Sequence, residues 1–267
     1  MMSAETPKIW VCLQSWVPLR AEANSRSEMV SSLLFGERCE LLDRQGEWLQ
    51  VRCLHDLYIG WIPDLYLQPL SADWQKMQWS VVHDHVSVLM AEYDYIDLSP
   101  GSWVPNLDVL HLNGKEYRYI RRWSLAEMPL KKYGVSPRLS PLQSRVIQSA
   151  VMLLNAPYLW GGRSQWGIDC SGLVQVVGAM VGVKMPRDAY QQAQIGQRKM
   201  YSQLAPGDLA YFSNADGKVV HVGIVIENHQ IIHAYGRVRI DHLSPNGIVN
   251  TETKEITHKL CDIRSWY

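Results

Sequence analysis

Three residues of this chain have the types and surroundings for nucleophilic chemistry: Cys170, His221 and His233. Cys170 lies in P-Y-L-W-G-G-R-S-Q-W-G-I-D-C-S-G-L, residues 157–173. It opens an apolar run in which Leu173, Val177, Met180 and Val181 share one face at helical spacing. Cys170 is therefore expected in the first turn of a buried helix, where amide N–H groups and the positive end of the dipole favour a thiolate. On the local pattern alone, a structural cysteine at a helix start is the alternative. His221 is the polar residue of V-V-H-V-G-I-V-I, and His233 that of I-I-H-A-Y-G. Either histidine alone reads as a satisfied core or edge residue. Two of them in adjacent strands, after a helix-capping cysteine, read as chemistry. Catalysis by a thiol needs a thiolate, an imidazole to hold and later donate its proton, and a polar group that fixes the imidazole tautomer. Cys170, His221 and His233 fill those roles in that order.

The strand register decides whether the two rings meet. Side chains of a strand face alternate sides, so His221 and His233 share a face only if paired residue numbers have an even sum, as with Gly223 opposite His233. That register requires an odd-numbered loop around Asn228 and makes the rings diagonal neighbours within reach of each other. A two-residue Asn228-His229 turn would put them on opposite faces.

The positioning elements follow from the pattern upstream and downstream. Ser140-Pro141-Leu142-Gln143 is a capping box with Pro at the first helical position. Leu142, Val146, Ile147, Ala150, Val151 and Leu154 make that helix's apolar face, and Asn155-Ala156-Pro157 stops it. The Cys170 helix is expected to end by Pro186, and a short polar helix to follow over about Asp188–Gln194. Strands are expected at Leu209–Phe212, Val219–Ile226, Gln230–Tyr235 and Val238–Asp241, with a tail strand near Glu255–Cys261. Helices followed by an antiparallel sheet give an α+β order. Residues 8–69 read as short strands separated by turns, a small barrel. Residues 76–125 are again β-like, with Asn113-Gly114 as a hairpin turn. The expected division is a first barrel over 1–70, a second, diverged one over 71–126, a Pro- and Gly-containing linker over 127–139, and an α+β domain over 140–267.

Composition narrows the function classes. The 267 residues suffice for two or three domains, and 26 Lys plus Arg balance 26 Asp plus Glu. Zero net charge without a basic stripe argues against nucleic acid or an anionic membrane as partner. No apolar run approaches the length of a membrane span, and M-M-S-A-E-T-P-K-I-W lacks the regions of a secretory signal, so a cytoplasmic location is expected. Cys12, Cys39, Cys53, Cys170 and Cys261 are odd in number and lack C-x-x-C spacing, which suits free thiols in a reducing compartment. No cofactor and no metal are expected. A zinc site from Cys170, His221 and His233 would need a fourth ligand or an open position, and usually close ligand pairs. Oligomeric state is not encoded in these patterns.

Two resemblances follow. P-L-R, S-E-M-V-x-x-L-L-F-G-E, G-E-W-L-Q-V-R and Y-I-G-W-I occur in the order of a bacterial SH3 domain. Y-L-W-G-G-x-x-x-x-G-x-D-C-S-G-L, then P-G-D-L-A-Y-F, H-V-G-I-V and I-I-H-A, resemble the NlpC-type papain-like cysteine peptidases over about residues 140–263. The second resemblance implies a papain-like domain whose triad carries over to Cys170, His221 and His233. It also implies a tyrosine for the oxyanion at Tyr158, beside the Cys170 backbone N–H; packing beneath the Trp160 loop is the alternative for Tyr158. SH3 domains ahead of such a peptidase, without a signal, resemble the γ-D-glutamyl-L-diamino acid endopeptidases of the dipeptidyl-peptidase VI type. That resemblance implies free murein peptides with an amino-terminal L-Ala as substrate, with Lys or meso-diaminopimelate as the diamino acid. The free ammonium would be held by Asp169, Ser171, Glu28 and Tyr58. Glu28 as a loop charge and Tyr58 as a barrel residue are the alternatives. Arg163 and Arg187 are candidates for the glutamyl α-carboxylate, with surface charges as the other reading. A thiolate–imidazolium pair is expected at rest. The rival functions are hydrolysis of intact peptidoglycan stems, acyl transfer to an amine, and non-catalytic binding of peptidoglycan.

Overall fold

A computed structural model describes residues 8–84, 86–123 and 138–267. Most of the expected 127–139 linker and the first seven residues lie outside the described residues. The chain divides into two compact units, Met1–Ser124 and Leu125–Tyr267. No helix among the described residues is long and apolar enough to cross a membrane.

The first unit begins with seven strands: β1 (Ile9–Cys12), β2 (Trp16–Arg20), β3 (Met29–Leu34), β4 (Arg38–Gln45), β5 (Trp48–Cys53), β6 (Ile59–Pro63) and β7 (Leu67–Pro69). They form one sheet in the order β3-β2-β6-β5-β4-β1-β7. Alternation in β5 buries Leu49, Val51 and Cys53 with Leu19, Leu33 and Ile62 in one cluster. A one-turn helix, α1 (Ala72–Lys76), leads to β8 (Trp79–Val81), β9 (Val86–Met90), β10 (Tyr95–Leu98), β11 (Trp103–Pro105), β12 (Leu110–Leu112) and β13 (Lys115–Trp123). These make a four-stranded sheet, β10-β9-β13-β12, and a separate β11-β8 ribbon, so no single closed sheet is formed. The Asn113-Gly114 turn joins β12 to β13 with positive φ at both residues, the requirement of a tight hairpin. The two β regions share apolar packing: Val11, Leu13 and Phe35 join Leu89, Leu98 and Val104 in one cluster.

The second unit starts with α2 (Pro141–Met152). Ser140 caps it: its Oγ accepts from the Gln143 N–H (3.2 Å), and the Gln143 side chain accepts from the Ser140 N–H (2.9 Å). A two-residue ribbon, β14 (Arg163–Ser164) with β15 (Gly167–Ile168), precedes α3 (Cys170–Val181). α3 ends at Gly182 in the left-handed conformation, well before Pro186. A short α4 (Ala189–Gln192) follows. The remaining strands are β16 (Gln197–Arg198), β17 (Leu209–Ser213), β18 (Val219–Ile226), β19 (Gln230–Tyr235), β20 (Arg237–Ser244), β21 (Gly247–Val249) and β22 (Ile256–Ser265). The order is β16-β22-β17-β18-β19-β20-β21, and β21 also pairs with β22, which closes six strands into a ring. Full closure removes exposed sheet edges from those six strands.

α3 is buried on nearly all sides, including Leu173, Val174, Val176 and Val177. Its start is held by close backbone approach. A Cβ on Gly172 would lie 2.2 Å from the Gly162 carbonyl oxygen and 3.0 Å from Asp169 Oδ1. Gly172→Ala must therefore push the helix start away from the loop at Gly162. The expected cost is about 1–3 kcal/mol, the usual cost of overpacking; thermal denaturation with a hydrolysis assay measures the loss.

Candidate active site

Asp169 is the N-cap of α3 and the centre of a buried polar knot. Its Oδ1 accepts from the Gly172 N–H (2.7 Å), the Ser171 hydroxyl (3.3 Å) and Arg187 Nη1 (3.1 Å). Its Oδ2 accepts from the Gly161 N–H (2.8 Å) and Arg187 Nη2. Gly161 has φ +80°, which lets the loop turn its amide onto the carboxylate. Arg187 also donates to Ser171 Oγ (2.8 Å). Arg187 and Arg163 are each 2 % exposed, so the reading of either as a surface charge is corrected. The Arg187 guanidinium is held charged by Asp169 against its burial.

Cys170, the first residue of α3, is buried at 6 % exposure. Burial pushes its thiol up to about 12, and the Asp169 carboxylate adds to this. A Val222 backbone N–H, the Arg187 guanidinium and the Ser171 N–H act in the opposite direction. The Val222 bond brings the thiol to the strand that carries His221. Burial pushes the His221 imidazole well below its ordinary value, helped by His233 and His258. Desolvation thus disfavours each charge taken alone, while the helix-start amides and Arg187 favour the thiolate.

The β18–β19 pairing puts Gly223 opposite His233 and Ile226 opposite Gln230, with the three-residue loop 227–229 between them. This is the even register. Asn228 and His229 have positive φ, which shapes that loop. His221 Nε2 and His233 Nδ1 are 2.9 Å apart, and His233 Nε2 is 3.0 Å from Asp241 Oδ2. The carboxylate requires a proton on His233 Nε2, so His233 Nδ1 accepts and His221 Nε2–H donates. His221 Nδ1 is left as the basic atom.

Asp241 was not anticipated from the sequence. Its Oδ1 also accepts from the Thr251 N–H (2.9 Å), the Thr251 hydroxyl (2.8 Å) and Arg239 Nη2 (3.0 Å), and Arg239 Nε lies 2.8 Å from Oδ2 in an ion pair. Burial works to raise this carboxyl, yet the hydrogen bonds from His233, Thr251 and Arg239 hold it well below the usual carboxylate range. The signal for it was present. His233 pairs with Arg239, so Asp241 is its diagonal neighbour one alternation along β20.

Tyr158 is pinned by its N–H to the Gly236 carbonyl (3.0 Å) and by bridges of its segment to Ile168 and Arg237. It is 37 % exposed, which does not match packing beneath a loop. Burial pushes its phenol up to about 12, with the charges of Cys170 and Asp169 contributing. In the first unit, Glu28 is exposed just before β3, and Tyr58 packs against the barrel cluster.

Among the described residues, two groups bring ligand atoms close enough for one ion: His221, His233 and His258, and Cys53, His55 and Asp56. The His221 and His258 rings are stacked, with centroids 4.1 Å apart and planes 23° apart. Their in-plane lone pairs therefore run side by side and do not converge. In the second group, His55 pairs with Asp56 (3.2 Å) and Glu37 (3.6 Å).

Residues 155–257 match the NlpC/P60 family, and residues 19–65 match the bacterial dipeptidyl-peptidase SH3 domain. The chain is 27 % identical over 220 residues to a gamma-D-glutamyl-L-lysine dipeptidyl-peptidase of Bacillus subtilis, covering 76 % of this chain and 71 % of that protein. It is 42 % identical over 80 residues to a probable endopeptidase NlpC of Escherichia coli, covering 29 % of this chain and 52 % of that one. The crystal structure of an NlpC/P60 family protein from Bacillus cereus has the same fold, with a TM-score of 0.79 and 20 % identity over 97 % of this chain and 99 % of that one. A thiol at a helix start with a histidine relay behind it, on a papain-like fold, together with these matches identifies residues 155–257 as an NlpC/P60 cysteine peptidase domain and residues 19–65 as a bacterial SH3 domain.

Proposed function

We propose that this protein hydrolyses the γ-D-Glu–diamino acid bond of free murein peptides that begin with L-Ala, as a step in cytoplasmic recycling of cell-wall peptides. One observation carries the catalytic reading: the hydrogen-bonded series His221–His233–Asp241 behind a buried thiol. Similarity to a gamma-D-glutamyl-L-lysine dipeptidyl-peptidase over three quarters of the chain supports the choice of bond.

Cys170 Sγ attacks the γ-glutamyl carbonyl carbon while its proton passes to His221 Nδ1. Proton transfer between two neutral groups creates a pair of opposite charges that stabilise each other in the dry site, so neither charge stands alone. His233 accepts from the new imidazolium, and Asp241 holds His233 in the tautomer that can do so. The Tyr158 hydroxyl and the Cys170 backbone N–H meet the developing oxyanion. The imidazolium returns its proton to the departing amine. His221 then takes a proton from water, the hydroxide opens the thioester, and the dipeptide and thiol are released. Asp169 and Ser171 border the proposed ammonium subsite. Glu28 and Tyr58 as further partners of that ammonium carry over from the resemblance alone.

Digestion of L-Ala-γ-D-Glu-L-Lys and of its diaminopimelate counterpart is expected to yield L-Ala-D-Glu and the free diamino acid, and Cys170→Ala to yield neither while melting normally. Transfer products with an added amine, or undiminished turnover by the variant, would contradict the mechanism. Acetylating the alanine nitrogen is expected to abolish cleavage; equal rates on free and blocked peptide would remove the free-amine requirement and favour intact stems. Asp241→Asn is expected to lower kcat with little change in KM, by less than the ~10⁴-fold loss that follows when a carboxylate directly behind a catalytic histidine is replaced; steady-state kinetics measures this.

A further inference from the structure

His258 has no part in the relay, yet its ring lies flat against that of His221. The centroids are 4.1 Å apart and the planes 23° apart. His258 is itself held from several sides. Its Nδ1 is 2.8 Å from Thr257 Oγ1, the Tyr235 ring meets it edge-on at 5.0 Å and 89°, and the Phe212 ring meets it at 6.0 Å and 67°. β22 fixes the residue through the pairing of His258 with Ile248.

The hydrogen bond to His233 fixes where His221 Nε2 points, but one in-plane bond leaves the ring free to rock about that axis. A flat partner at van der Waals distance removes the rocking. We infer that His258 is a positioning residue of the peptidase, whose ring, stacked on His221, holds the catalytic imidazole in the plane that serves Cys170 and His233 together. The stack also presents a π face to the imidazolium that forms during acylation, an attractive contact for a cation.

This role requires that His258 stay neutral. The groups facing it are His221 on β18, His233 and Tyr235 on β19, Phe212 on β17 and Thr257 on its own strand, with Asp241 of β20 behind His233. Burial, then the charge of His233, lower its imidazole to about 4, and Asp241 offsets this only in part. Below that pH a proton on His258 opposes the imidazolium on His221.

The inference rests on the catalytic reading of Cys170 and His221, so the test has one readout that needs no substrate. In the full-length protein, His258→Phe keeps a flat ring and removes the proton site, whereas His258→Leu keeps apolar bulk and removes the flat ring. Melting curves establish that each variant folds. The Phe variant is expected to hold kcat within about threefold of wild type, and the Leu variant to lose tenfold or more in kcat at unchanged KM. The rate of Cys170 alkylation by iodoacetamide, read by mass spectrometry, is expected to follow the same order. Equal kcat and equal alkylation in the two variants would reduce His258 to packing and overturn the inference. Absence of hydrolysis by the wild type, with alkylation still ordered as expected, would count against the substrate reading and leave the positioning role standing.

Discussion

The buried ion pair of Asp169 and Arg187 is the constraint on which the nucleophile depends. One carboxylate caps α3, accepts the amide of the Gly161 turn and binds the guanidinium that enters just before α4. Three chain segments, at Gly161, at the start of α3 and at Arg187, are thereby fixed around Cys170. Such a pair adds little net stability over an apolar substitute, but loss of one partner leaves an uncompensated buried charge, a change of about 3–5 kcal/mol. The pair also sets the electrostatics of the thiol. Burial opposes ionisation of Cys170, the Asp169 carboxylate adds to this, and Arg187 acts against it.

The opposite wall of the site is ordered by strand pairing. Ring closure through β21 and β22 fixes β18, β19 and β20 in a register that aligns His221, His233 and Asp241 along one face. The relay ends on a carboxylate whose other oxygen is occupied by Thr251, with Arg239 across both. Asp241 therefore has one role left toward His233, which is to accept. Tautomer choice propagates outward from that oxygen to His221 Nδ1. The relay is dry, so each bond in it is stronger than the same bond in water, and a missing partner would cost correspondingly more.

Much of this site was legible in the chain. The capping box at Ser140, the Cys170 helix start, the hairpin strands of His221 and His233 and their even register all rest on short-range rules: capping chemistry, apolar periodicity and face alternation. What was not legible depends on contacts between distant segments. Arg187 looks like an ordinary basic residue after Pro186 until α3 places Asp169 against it. Asp241 required extending the register argument by one more hairpin, across Gly236. His258 lay beyond such reasoning, because β22 pairs with β17 through an irregularity between Tyr211 and Phe212 that shifts which side chains face the site. Burial was the other quantity hidden from the sequence. The pattern predicted a helix-start thiol but not how deeply it would be buried.

Desolvation is the other force that shapes the site. Burial raises the Cys170 thiol and lowers the His221 imidazole, so either charge standing alone is disfavoured. Opposite charges formed together at short range stabilise each other, and more strongly in a buried site than in water. The surroundings of the imidazole suit such a pair. His233, held in its tautomer by Asp241, offers a hydrogen-bond acceptor, and the His258 ring offers a π face. Burial and the relay therefore act together: the first makes an unpaired charge costly, and the second supplies the partners that a charge on His221 requires.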